Sequence, residues 1–176
     1  MLDDQQGAVA VRGVSEQGRI LVANQSGVYL MKFVGDVRVT LCTAVDAFLD
    51  TMFHDDEFRS VVIDLSRTAG VDSTSLGVLA KLSIQAKSRF DYVPTLVSTN
   101  PDITRVLTTM GFDEVFNIID QPIEHEEQLG ELPMRESTEE DVRRQVLEAH
   151  RALMSLNESN REAFHDLVET LEAAGP

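Results

Sequence analysis

The segment Ser60–Ser66 reads SVVIDLS, and within it Val61, Val62 and Ile63 follow one another with no polar alternation. Successive side chains of a strand point to opposite faces, so an unbroken apolar run must be covered on both sides. A sheet with helices packed on it meets that demand, and an α/β architecture follows. The next stretch supplies the first helix. Leu76, Leu79, Ala80, Ser83, Ile84 and Lys87 share one stripe at helical spacing, which predicts a helix from Ser73 to Arg89.

Around this unit the chain alternates strand and helix signals. RILVAN (Arg19–Asn24) and VYLMKFVG (Val28–Gly35) flank Gln25, Ser26 and Gly27, which predicts a hairpin. Leu41, Val45, Phe48, Leu49 and Met52 recur at three- and four-residue intervals behind Thr40, an expected N-cap, so a helix is predicted over Leu41–Phe53. TLVST (Thr95–Thr99) gives another strand. Asn100 followed by Pro101 has the form of an N-cap and first helical residue, and Gly111 that of a helix stop. VFNII (Val115–Ile119) closes the series. The order β-β-α-β-α-β-α-β describes a mixed sheet with packed helices.

Pro122 and Pro133 bracket an acidic stretch, EHEEQLGEL, that reads as a linker or a frayed helix and divides the chain. Beyond it, Ser137 with Glu140 fits a capping box. Val142, Val146, Leu147, His150, Leu153 and Met154 form one apolar stripe, and Phe164, Leu167, Val168 and Leu171 form a second after a break at residues 157–160. The tail is therefore predicted to be a hairpin of two amphipathic helices. Each has one apolar face to bury, on the main domain, on a partner or on a second copy.

Charge and composition exclude several functions. Thirty acids against fifteen bases give a net charge of −15, which repels nucleic acid and anionic lipid. No apolar run approaches the ~20 residues that span a bilayer, and the first residues lack an apolar signal segment, so a cytoplasmic protein is expected. The lone Cys42 admits no internal disulfide and no cysteine-based zinc site. His54, His125, His150 and His165 are scattered, and the acids around His125 read as a solvated charge run, so no metal is expected.

At the start of the central helix stand four polar residues together: Asp72, Ser73, Thr74 and Ser75. Helix initiation alone explains such residues, because their side chains satisfy the orphan N–H groups of the first turn. One cap is sufficient, however. With Asp72 as N-cap, Ser73 at the first helical position is expected to point outward. Phosphorylation there would add about −1.5 to −2 charges at an end the helix dipole tolerates. The fold would survive, while a protein surface docking over that helix end would be repelled.

The chain from about Gly18 to Asp120 resembles the STAS domain of bacterial anti-sigma factor antagonists. Three blocks carry the resemblance in the right order: MKFVGDV, VVIDLSRTAGVDSTSLGVL and ITRVLTTMGFDEVFNI. The resemblance implies a STAS domain over residues 18–121 behind an N-terminal segment over 1–17; it does not supply the tail, which the residues themselves divide into an acidic linker over 122–136 and a helical extension over 137–176. It also implies a non-catalytic regulator with no cofactor of its own. In that family a partner-switching kinase phosphorylates the serine after the motif aspartate, here Ser73, with Thr74 as the second hydroxyl. Leu76 and Gly77 match the motif, whereas Ser75 stands where glycine is usual. The implied partners are an anti-sigma factor with serine kinase activity and a PP2C-type phosphatase. The implied contact surface is Gly35, Asp36, Asp72, Ser73, Thr74, Ser75, Leu76 and Gly77.

Three other readings compete. A receiver domain would use Asp64 as phosphoacceptor, but RILVAN lacks the required acids and no lysine stands between Thr95 and Asp120. A serine hydrolase needs a nucleophile elbow that the sequence lacks. A STAS module in a transport, lipid-trafficking or sensory assembly keeps the fold and changes the role; such modules often lack the phosphorylatable serine, so Ser73 favours the switch.

Overall fold

The computed structural model describes residues 16–123 and 128–175. Residues 1–15 of the N-terminal segment, and Glu124–Glu127 with His125, lie outside the described residues. The elements are β1 (Arg19–Gln25), β2 (Val28–Val37), α1 (Cys42–Phe53), β3 (Ser60–Val71), α2 (Ser73–Phe90), β4 (Thr95–Val97), α3 (Pro101–Thr109), β5 (Asn117–Ile119), β6 (Gly130–Glu131), α4 (Glu139–Leu156) and α5 (Glu158–Ala173).

One six-stranded mixed sheet runs β5-β4-β3-β2-β1-β6. The β1–β2 hairpin is antiparallel, as expected, and turns through Ser26 and Gly27, both at positive φ. Gly27 cannot be replaced cheaply, because a Cβ there would lie 1.7 Å from the Glu57 carbonyl oxygen. From β2 to β5 the pairing is parallel, so β3 sits inside the sheet and Val61 and Ile63 are fully buried.

The sheet is longer than the sequence suggests. β3 runs on to Val71 through two register shifts against β2, which places Asp64 in mid-strand, not at a strand end. Its carboxylate accepts from the Ser66 amide at 2.8 Å and pairs with the Lys32 ammonium across the sheet at 3.7 Å, both side chains buried. Part of the expected linker is sheet as well: Gly130–Glu131 pairs with β1, and the Leu132 amide donates to the Ile20 carbonyl at 2.8 Å. Such a two-residue strand carries no pattern of its own.

Among the described residues, α-helix starts obey local chemistry with one exception, and in one case the cap is shifted by a residue. Asn100 caps α3 through the Asp102 amide, with Pro101 in the first turn, and Gly111 beyond its end has φ +83. Thr40, by contrast, caps nothing; it lies in a 3₁₀ turn over Val39–Leu41 that runs into α1 without a side-chain cap. The capping box of α4 belongs to Thr138 and Asp141, one residue later than Ser137 and Glu140. Asp141 closes it from both sides, accepting from the Thr138 amide and hydroxyl. Those bonds hold its carboxyl below the usual carboxylate range.

Candidate functional site

The start of α2 is held against the end of β2. The Asp72 amide donates to the Val37 carbonyl at 3.2 Å. One Asp72 carboxylate oxygen accepts from the Ser75 amide at 2.8 Å as the N-cap, and the other accepts from the Val39 amide at 2.7 Å. Asp72 therefore satisfies an orphan donor of α2 and one of the loop before α1. Gly35 and Asp36 lie on the same edge. Gly35 has φ +77, and a Cβ there would meet the Glu16 carbonyl oxygen at 2.4 Å; Asp36 pairs with Arg38 at 2.9 Å.

The three hydroxyls then separate. Thr74 is 6% and Ser75 3% exposed, and the Ser75 hydroxyl lies 3.6 Å from the Cys42 sulfur. Burial pushes the Cys42 thiol up to about 12, so it behaves as a small apolar group. Of the implied contact residues, Gly35, Thr74, Ser75, Leu76 and Gly77 are buried, while Asp36, Asp72 and Ser73 keep partial exposure. Ser73 alone of the three hydroxyls reaches the surface layer.

Ser73 does not point freely outward, because a second helix crosses over it. Its hydroxyl lies 2.9 Å from Nε2 of His150 on α4. The other ring nitrogen, Nδ1, lies 2.6 Å from the Val146 carbonyl oxygen. A carbonyl only accepts, so Nδ1 carries a proton, and whenever that is the ring's one proton Nε2 accepts from the Ser73 hydroxyl. His150 is 2% exposed, with Phe164 of α5 edge-on at a centroid distance of 5.1 Å. A serine paired with an oriented histidine is the arrangement a hydrolase would use, yet here the imidazole is sealed beneath the helix that carries it.

Four further contacts seat α4. Gly77 permits a close helix crossing: a Cβ there would lie 2.2 Å from the Ala149 carbonyl oxygen. Lys81 on α2 joins Asp46 of α1 at 2.8 Å and Glu148 of α4 at 3.0 Å. Burial works to lower the Lys81 pKa, but its two carboxylate partners outweigh that and raise it. Thr43 donates to Gln145 at 3.0 Å. At the α4–α5 turn, Asn160 donates to the carbonyls of Met110 and Leu153 at 2.8 and 2.9 Å.

Sequence reading placed His150 on an apolar stripe and missed its partner. The buried face of α4 is Gln145, Ala149, His150 and Leu153, turned from the expected stripe. Two signals in the sequence bear on this: a histidine within an apolar stripe, and Asn160 within the helix break.

The mixed sheet thus turns from β3 into α2 through the Asp72 cap, with Ser73 directly after it. The chain belongs to the STAS domain family, whose model matches residues 19–126. STAS domains are typically non-catalytic regulatory modules. Solved structures agree on the fold. The Bacillus cell fate determinant SpoIIAA in its phosphorylated form superposes with a TM-score of 0.51 at 13% identity, covering 60% of this chain and 93% of that one. The anti-sigma factor antagonist SpoIIAA in its unphosphorylated form gives 0.50 at 12%, covering 59% and 89%. The NMR structure of the protein TM1081 gives 0.51 at 21%, covering 57% and 79%. No match was found among curated proteins. Helices α4 and α5 lie wholly beyond the family match. Among the described residues no helix is long and apolar enough to cross a membrane.

Proposed function

We propose that this protein is an anti-sigma factor antagonist whose binding is switched by phosphorylation of Ser73. One observation carries the reading: Ser73 is the first residue of an 18-residue helix, directly after its capping aspartate, and is the least buried hydroxyl of the three. The family fold and the likeness to SpoIIAA support it. The unphosphorylated form binds an anti-sigma factor that is also a serine kinase, releasing a sigma factor. That kinase supplies ATP and magnesium. The bond from the γ-phosphorus to the bridging oxygen of ATP breaks, a bond to Ser73 Oγ forms, ADP leaves, and the hydroxyl proton passes to the kinase's base.

The added charge sits beside the Asp72 carboxylate, and the helix N-terminus offsets part of that repulsion. Partner binding ends because the docking surface becomes anionic and costly to desolvate. A PP2C-type phosphatase restores it. The STAS domain, taken as residues 18–121, needs no cofactor or metal for this role. Thr74, buried, is the second-choice acceptor.

The test is phosphate mapping. The chain incubated with ATP and an extract of its native cells is expected to carry one phosphate, on Ser73, and Ser73→Ala to carry none. Undiminished modification of Ser73→Ala would overturn the assignment.

A further inference from the structure

We propose that the α4–α5 hairpin is a resident occupant of the α2 face, holding Ser73 in a closed state that must open before a kinase or binding partner reaches it. This rests on the reading of Ser73 as the switch and adds its regulation. Three observations carry it. The Ser73 hydroxyl is engaged by a buried imidazole from α4. Gly77, on the same helix one turn later, is pressed against the Ala149 backbone, so nothing else can occupy that surface while α4 is docked. The hairpin lies outside the family match, so the fold itself does not require it.

The seat is built to release. Ala149 and Leu153 are its fully buried apolar residues on α4, with Ala152, Leu156 and Phe164 only partly buried against the core, and polar contacts share the seat: Thr43 to Gln145, Lys81 to Glu148, Ser73 to His150 and Asn160 to Met110. Groups of this kind find replacement partners in water when a surface opens, so opening costs less than exposing an apolar face of equal size.

The geometry couples this opening to the state of Ser73. A phosphorylated Oγ has no proton to give His150, and its three added oxygens need the space the imidazole fills. Phosphorylation therefore removes the Ser73–His150 bond of the docked state, crowds the imidazole and shifts α4 toward release. Three states follow: closed and unphosphorylated, open and competent to bind, and phosphorylated, open and unable to bind. A partner selects the open state, and its apparent affinity falls by the fraction of molecules that are closed.

Thiol trapping at position 73 tests the mask without any phosphate, so its outcome is independent of whether Ser73 is the phosphoacceptor. Ser73→Cys is placed in the full chain with Cys42→Ala, leaving one thiol, and its rate with a dithionitrobenzoate reagent is measured. The same chain carrying Leu153→Asp, or separately Glu148→Lys with His150→Ala, releases α4 by two different routes. Reaction is expected to be at least tenfold faster in both released chains than in the docked one. Equal rates in the docked chain and in the same chain unfolded in urea would overturn the proposal, whatever the release variants do.

Discussion

The β3–α2 unit belongs to the sheet and its covering helix, the α4–α5 hairpin packs over that helix, and the two are held by a different balance of forces. Val61, Ile63, Leu65, Leu76, Leu79 and Leu82 are all at most 2% exposed and form a continuous apolar core. The hairpin contributes Ala149 and Leu153 to that core, packs Ala152, Leu156 and Phe164 partly buried against it, and adds hydrogen bonds and ion pairs. An apolar core opens as a unit with the whole domain, whereas a seat with fewer fully buried apolar residues and more polar contacts is expected to open at lower cost. The difference suits the roles proposed here: a rigid platform that fixes Ser73, and a cover that can leave.

Substitutions separate the two regions, and the largest effect belongs to the core. Leu79→Ala is expected to cost about 2–5 kcal/mol of global stability, read as a shift of the entire urea transition. Asp72→Ala comes next: it removes the α2 cap, typically worth about 1 kcal/mol, and orphans the Val39 amide at a further cost of about 1–3 kcal/mol. It too acts on the whole transition. Gly77→Ala acts on the cover alone. Its Cβ collides with the Ala149 backbone, while alanine favours the helix interior by about 1 kcal/mol. Hydrogen exchange is expected to speed up over residues 139–156 and not over α2; unchanged protection of α4 would break the comparison.

The smallest effect is a pH dependence at the far end of the domain. The Tyr29 hydroxyl donates to Asp55 at 2.6 Å, which holds the Asp55 carboxyl below the usual carboxylate range. Burial, then Asp55, pushes Tyr29 up to about 12. A depressed carboxyl stabilises the fold above its unfolded pKa and loses that contribution as pH falls through the folded value. Tyr29→Phe is therefore expected to flatten the acid limb of the stability profile slightly, measured by urea melts across the carboxylate range.

What the sequence made legible was local. The apolar run at Val61–Ile63, the Asn100–Pro101 start and Gly111 stop, the turn at residues 25–27 and the Asp72 cap each carry their signal within a few residues; the turn is one residue tighter than read, with Gln25 in β1, and Val62 keeps partial exposure. One error at a helix start was a shift between chemically equivalent neighbours, since Ser137–Glu140 and Thr138–Asp141 offer the same box and geometry chose the second; the other was Thr40, where a 3₁₀ turn leads into α1 and no side chain caps it. The hairpin of the tail was legible, but not its seat. Ser73 and His150 are 77 residues apart, and no local pattern joins them. Gly77 illustrates the limit best. It reads as a motif glycine, and the structure shows that its missing Cβ is also what lets α4 approach.

The most direct measurement compares the two regions in one experiment on the full chain with phosphoserine installed at position 73. Hydrogen exchange is followed over α4–α5 and over β2–β3, with and without the phosphate. At least a tenfold loss of protection over residues 139–173, with β2 and β3 unchanged, is the predicted result. Equal protection of α4–α5 in both forms would contradict the account.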